Sequence, residues 1–133
     1  MKAILPIRGT DSQGSGAYGA SRGSRTHKGI DFACYPGTTV LPLYPGKVTK
    51  LGYPYKDKLE FRYVQVTDMW GNDHRYFYVE PCVEVGQTVN VHDPIGKTQE
   101  LPYEGITQHF HWEVKKDGSH IDPRPLLSGE GVG

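Results

Sequence analysis

Two stretches of the chain carry side chains able to hold a metal ion or move a proton, His27-Lys28-Gly29-Ile30-Asp31 and Thr107-Gln108-His109-Phe110-His111-Trp112-Glu113-Val114. In the second, polar residues alternate with aromatic or branched ones, the period-2 pattern of a strand. His109, His111 and Glu113 then share one face, and Phe110, Trp112 and Val114 the other. On a solvated face such a trio needs no function; with partners it makes a metal or proton-transfer site. His27 and Asp31, four apart in a β run, also fall on one face, and both reach one ion only if the chain bends between them, which Gly29 permits. Zinc takes about three or four nitrogen, oxygen or sulfur ligands, with one position left to water in a catalytic site. A His-x-x-x-Asp alone is common by chance; a distant His-x-His in a second β run makes the pair far more specific.

The elements that must position these residues read as β. The 133 residues suit one domain with its own core, and 17 Gly and 10 Pro punctuate short strand-like runs with no long segment of 3.6 periodicity. "HKGIDFAC" (27–34) is strand-like, and 37–53 reads as two short strands broken by Pro42 and a Pro45-Gly46 turn. Residues 61–81 are the clearest hairpin, turning at Gly71-Asn72-Asp73, and 85–98 adds two short strands. The strand 107–115 leads into a Lys116-Asp117-Gly118 turn. Gly9 to Arg25, rich in Gly, Ser and Arg, reads as a loop of the kind that borders sites. No repeat or low-complexity linker divides the chain, so a mostly β, antiparallel single domain over 1–133 is expected.

Fifteen basic and fifteen acidic residues balance to zero, which argues against a nucleic-acid footprint or an anionic-membrane patch. No apolar run reaches membrane-spanning length, and "MKAILPIRGTDSQGSG" lacks the apolar core of a signal peptide. The expectation is a chain made in the cytoplasm and acting outside it, or secreted if a leader was trimmed, without membrane insertion. Cys34 and Cys82 have no zinc-knuckle or redox spacing and read as buried thiols.

"HKGIDFACYPGTTV", "PGKV", "VEVGQTVNVHDPIGKT", "GITQHFHWEV" and "DGSHIDPRPLL" resemble, in order and spacing, the lysostaphin-type (LytM-like) zinc endopeptidases that cut peptides of bacterial cell walls. The likeness runs from about Tyr18 to Leu127. It implies the family's β-barrel-like fold, a zinc ion held by His27, Asp31 and His111, and His109 as a catalytic imidazole. Peptidoglycan peptide is the implied substrate, and the chain is expected to be a monomer. A phage-encoded lysin or virion component is the role suggested by the missing export signal.

The family has a further catalytic His in a Tyr-x-His-Leu segment, where this chain has Tyr76-Phe77-Tyr78-Val79. Tyr78 stands at the histidine's position. A phenol titrating near ~10 cannot share a proton at neutral pH as imidazole can, but it can donate to an oxyanion, so Tyr78 joins His109 as a catalytic candidate. "HRYFYVEP", "SRTHKGIDFAC" and "YEGITQHFHWEV" resemble the leukocyte chemotaxin branch of the same fold, which lacks that His. The alternative function is therefore a weak or inactive zinc-containing binding or signalling module. His74 lies about 13 Å along the strand from position 78, too far to substitute. His92 and His120, in turn-like contexts, are left out of the site, and Glu113 is read as a structural partner of Arg or Lys. Tyr18, near Arg22 in the preceding loop, is a candidate for substrate or oxyanion contact.

Overall fold

The computed structural model describes residues 21–22, 25–26, 29–103 and 105–128. Among them run β1 (Ser21–Arg22), β2 (Arg25–Thr26), β3 (Ile30–Ala33), β4 (Thr39–Val40), β5 (Gly46–Gly52) and β6 (Tyr63–Asp68). They are followed by β7 (Asn72–Phe77), β8 (Val79–Pro81), β9 (Thr88–Val89), β10 (Gly96–Thr98), β11 (His109–Lys116), β12 (Ser119–Ile121) and a one-turn helix α1 (Arg124–Ser128). The fold is mostly β and antiparallel, as the punctuated strand pattern implies. No helix among the described residues is long and apolar enough to cross a membrane.

The main sheet has the order β12-β11-β7-β6-β5-β9, and β3 pairs with the remaining part of β11's outer edge. Strands β4, β10 and β8 form a second sheet, and β1 pairs with β2. β11 organises the main sheet, taking β7 along one edge and β3 and β12 in succession along the other. Its apolar set is anchored by ring packing, with Phe110 5.3 Å and Trp112 6.1 Å from Phe32 between centroids. Ile30, Phe32 and Trp112 are buried, as are Val64 and Val66 of β6. The strand's polar set is also enclosed: every residue from His109 to Val114 is buried. The solvated-face reading of that pattern therefore fails.

The β6–β7 hairpin forms where the alternation places it, with Val64 opposite Tyr76 and Val66 opposite His74, but Asn72 and Asp73 belong to β7 rather than to the turn. Asp68 closes the connection. Its Oδ1 accepts the backbone N–H groups of Trp70 (2.9 Å) and Asn72 (3.0 Å), and its Oδ2 accepts from the Asn72 amide (3.0 Å) and His74 Nε2 (2.8 Å). Trp112 Nε1 donates to the other nitrogen of that ring, Nδ1, at 3.1 Å. Because indole can only donate, the hydrogen of His74 sits on Nε2. The chain Trp112–His74–Asp68 thus ties β11 to the hairpin turn.

The thiols differ from expectation. Both are free, Cys34 is only partly buried, and Cys82, on the short strand-to-turn exit after β8, is exposed.

A side chain at Gly29 has no room: a Cβ there would strike the Trp112 carbonyl oxygen and come within 2.8 Å of His111 Cε1. Gly29→Ala should push β3 away from β11 and cost about 1–3 kcal/mol, read as a lower denaturation midpoint. Asp68→Ala strands several buried donors and should cost about 3 kcal/mol. Burial acts to raise the pKa of Asp68, but hydrogen bonds from His74 and Asn72 hold it at about 2. The ionised carboxylate therefore stabilises the fold above the unfolded value near ~4, and the contribution is lost as pH falls from there through about 2. Denaturant titrations across that window should show a smaller acid loss for Asp68→Asn than for the wild type.

Candidate active site

Antiparallel register puts Asp31 directly opposite His111, and Phe77 opposite His111 on the other side. Residues paired across neighbouring strands share a face, so the row Asp31, His111, Phe77 continues to Tyr63 of β6. Within it, Asp31 Oδ1 lies 2.8 Å from His111 Nδ1, while its Oδ2 lies 3.5 Å from His109 Nε2. Asp31, His109 and His111 are 3%, 5% and 9% exposed, so the carboxylate and both imidazoles are withdrawn from bulk water. The Phe77 ring packs on His111 at 5.0 Å between centroids.

Hydrogen bonds assign the nitrogens. His109 Nδ1 lies 2.7 Å from the Thr107 carbonyl oxygen, which can only accept, so Nδ1 carries a hydrogen and Nε2 is the nitrogen turned to Asp31. His111 is held by carboxylates on both sides, with Nε2 3.0 Å from Glu113 Oε1. Burial acts to lower the pKa of His111, but its hydrogen bonds to Asp31 and Glu113 outweigh that and push it to about 9. Burial raises the Glu113 carboxyl, and its contacts with His111 and His120 bring it below the usual value.

Tyr78 reaches this group by an unusual backbone. The alternation of β7 would aim it with His74 and Tyr76 into the core, where the Tyr76 hydroxyl accepts from the Leu43 N–H at 2.9 Å. Instead β7 ends at Phe77, and Tyr78 adopts φ 66°, the left-handed region that non-glycine residues rarely enter. The N–H groups of Tyr78 and Val79 both donate to the Arg62 carbonyl, at 2.8 and 3.2 Å, and the Tyr78 carbonyl accepts from Gln99 N at 2.8 Å. This bulge turns the ring to the other face, edge-on to His109 at 5.7 Å between centroids. Its hydroxyl lies 2.6 Å from that of Tyr55. Burial first, then the neighbouring Tyr55 and Asp31, raise the Tyr78 pKa above the ordinary phenol range. The group is a neutral hydrogen-bonding hydroxyl, not a base.

Of the residues singled out by sequence, Asp31, His109, His111 and Tyr78 come together. His27 and Tyr18 lie outside the described residues, as does the side chain of Arg22. His92 is exposed, and His74 is buried in the structural network with Asp68. Glu113 is corrected: its partners are His111 and His120, not Arg or Lys, and His120, left out by its turn-like context, donates to Glu113 Oε2 at 2.8 Å. The missed signal was the two-residue turn Asp117-Gly118, with φ 52° and 80°, which sets His120 opposite Lys115 and so on the face of His111 and Glu113. Among the described residues, no three His, Cys, Asp or Glu side chains are disposed to hold a metal by themselves.

Comparisons with known proteins bear on the fold and the family. The chain is 30% identical over 117 residues to leukocyte cell-derived chemotaxin-2 of Bos taurus, across 84% of this chain and 75% of that protein. The solution structure of lysostaphin, a peptidase of Staphylococcus simulans, superposes with a TM-score of 0.71 at 22% identity, covering 100% of this chain and 57% of that one. The structure of LytU matches with a TM-score of 0.70 at 26% identity, over 96% of this chain and 87% of that one. The chain thus has the lysostaphin-type fold while spanning little more than half the length of lysostaphin itself. The profile of peptidase family M23 matches residues 25–123, a span that includes both motifs and Tyr78, and the chain belongs to that family.

Proposed function

We propose that the protein is a zinc-dependent endopeptidase acting on peptide bonds of peptidoglycan, with His27, Asp31 and His111 as metal ligands and His109 and Tyr78 as the catalytic pair. The observation that carries this reading is the convergence of the Asp31 carboxylate with one nitrogen from each of two imidazoles inside a buried face. Peptidases of the family are typically zinc-dependent, and the donor set suits that ion. Asp31 Oδ1 and His111 Nδ1 already meet at 2.8 Å as one oxygen and one nitrogen of the kind zinc takes, and His109 Nε2 stands 3.5 Å from the other oxygen of the same carboxylate, beside the site rather than in its ligand set.

When bound, zinc supplies Lewis acidity, which polarises a carbonyl and makes water easier to deprotonate. The chain's own residues supply the rest. With Nδ1–H anchored on the Thr107 carbonyl, His109 presents Nε2 as the acceptor for a proton from attacking water. The neutral Tyr78 hydroxyl is available to donate to the oxyanion that develops on the substrate, and Tyr55 holds it in place. Burial of the Asp31–His111 row keeps these interactions strong by excluding bulk water.

A second reading, a zinc-containing binding or signalling module with little or no turnover, is supported by Tyr78 in place of an imidazole and by the likeness to a protein named as a chemotaxin.

Zymograms on purified walls separate the two. The peptidase reading expects cleavage by the wild type, none by His109→Ala, and a rate about 10²–10³-fold lower for Tyr78→Phe, the usual cost of an oxyanion donor. Absence of cleavage by both the wild type and Tyr78→His, on every wall type, selects the binding module. Metal analysis should return about one zinc per chain and strong loss in His111→Ala. Because a ligand specific to the folded state stabilises it, chelation should lower Tm by several degrees; an unchanged melting curve after verified zinc removal would contradict a site joining β3 to β11.

A further inference from the structure

An imidazole ligand can offer either ring nitrogen, and the strand backbone does not decide which. In His111 something else must keep Nδ1 turned to Asp31. Glu113, two residues along β11 and therefore on the same face, sets Oε1 3.0 Å from Nε2. Asp31 and Glu113 can both only accept, so each ring nitrogen faces a carboxylate; a metal sharing Asp31 would take the place of the hydrogen on Nδ1, while Glu113 keeps the hydrogen on Nε2. Glu113 is itself fixed at its other end, where Oε2 accepts from His120 Nε2 at 2.8 Å. The Glu113 side chain is 8% exposed and that of His120 31%, so the relay runs from the surface inward.

We propose that Glu113 and His120 are positioning residues for the metal. Glu113 fixes the tautomer and ring orientation of His111, and His120 fixes Glu113. This rests on the reading of His111 as a zinc ligand. The Asp117-Gly118 turn is part of the device, because it sets the register that pairs His120 with Lys115, and a one-residue slip of that register would carry His120 to the opposite face. Carboxylates behind a ligating histidine raise its basicity and commonly govern about 10–100-fold in metal affinity.

The test uses full-length protein stripped of metal and titrated with zinc against a chromophoric chelator, so it needs no activity. Glu113→Gln, which keeps the shape and removes the charge, should bind zinc about 10-fold more weakly than wild type, and His120→Ala about 3-fold more weakly. The metal-free melting curve of His120→Ala, a change at the exposed end, should stay near wild type, which keeps the test valid if Glu113→Gln folds poorly. In the zinc-loaded wild type, long-range 15N–1H spectra should place the His111 hydrogen on Nε2. Zinc affinity within about twofold of wild type in both variants, with affinity lost in His111→Ala, overturns the relay alone; so does a hydrogen found on Nδ1. Affinity retained in His111→Ala overturns the ligand reading, and the relay with it.

Discussion

Everything at the site depends on one cross-strand pair, Asp31 opposite His111, with 2.8 Å between Oδ1 and Nδ1. A carboxylate buried to 3% exposure is costly unless its oxygens are engaged; His111 Nδ1 meets Oδ1 at 2.8 Å, and His109 Nε2 lies 3.5 Å from Oδ2. The pair is set in place by its reverse face. Because side chains alternate, the register that brings Asp31 to His111 also brings Phe32 to Phe110 and Ile30 to Trp112, and a one-residue slip would exchange the two faces and set the charges among the apolar rings. Apolar packing and active-site geometry are therefore two consequences of one strand alignment. Gly29 completes it by letting β3 enter close to His111 and the Trp112 carbonyl.

Two histidine–carboxylate networks lie on opposite faces of the sheet, and their surroundings separate their roles. His74 is fully buried and satisfied at both nitrogens, by Asp68 and by the Trp112 indole, between the rings of Tyr44 and Tyr76. It rigidifies a hairpin. His109 and His111 instead share one carboxylate and stand beside Tyr78, whose left-handed backbone is held by hydrogen bonds at its N–H and its carbonyl. A residue of that size in such a conformation costs of order 1 kcal/mol or more, and here the strain turns a phenol from the core face to the histidine face.

The strands and the shared face of His109, His111 and Glu113 were legible from alternation alone, because period-2 patterning is local. The pairing of His-x-x-x-Asp with His-x-His was read from the residue types and their β context, while the roles within it came from a family likeness, since strand order is not written in any one segment. Tyr78 was singled out by the same likeness and not by alternation, which the bulge interrupts. Two features escaped for identifiable reasons. His120 looked like a turn histidine because a two-residue turn returns the chain onto the same face. Glu113 was assigned to a basic partner because its histidine partners depend on that return and on a side-chain geometry that spacing does not encode.

The most direct measurement is a crystal structure of the zinc-loaded protein with anomalous scattering recorded at the zinc edge. One peak per chain is expected, within bonding distance of Asp31, of His111 through Nδ1, and of His27, with His111 Nε2 still hydrogen-bonded to Glu113. A peak coordinated through His111 Nε2, or one centred away from the Asp31–His111 pair, would contradict it.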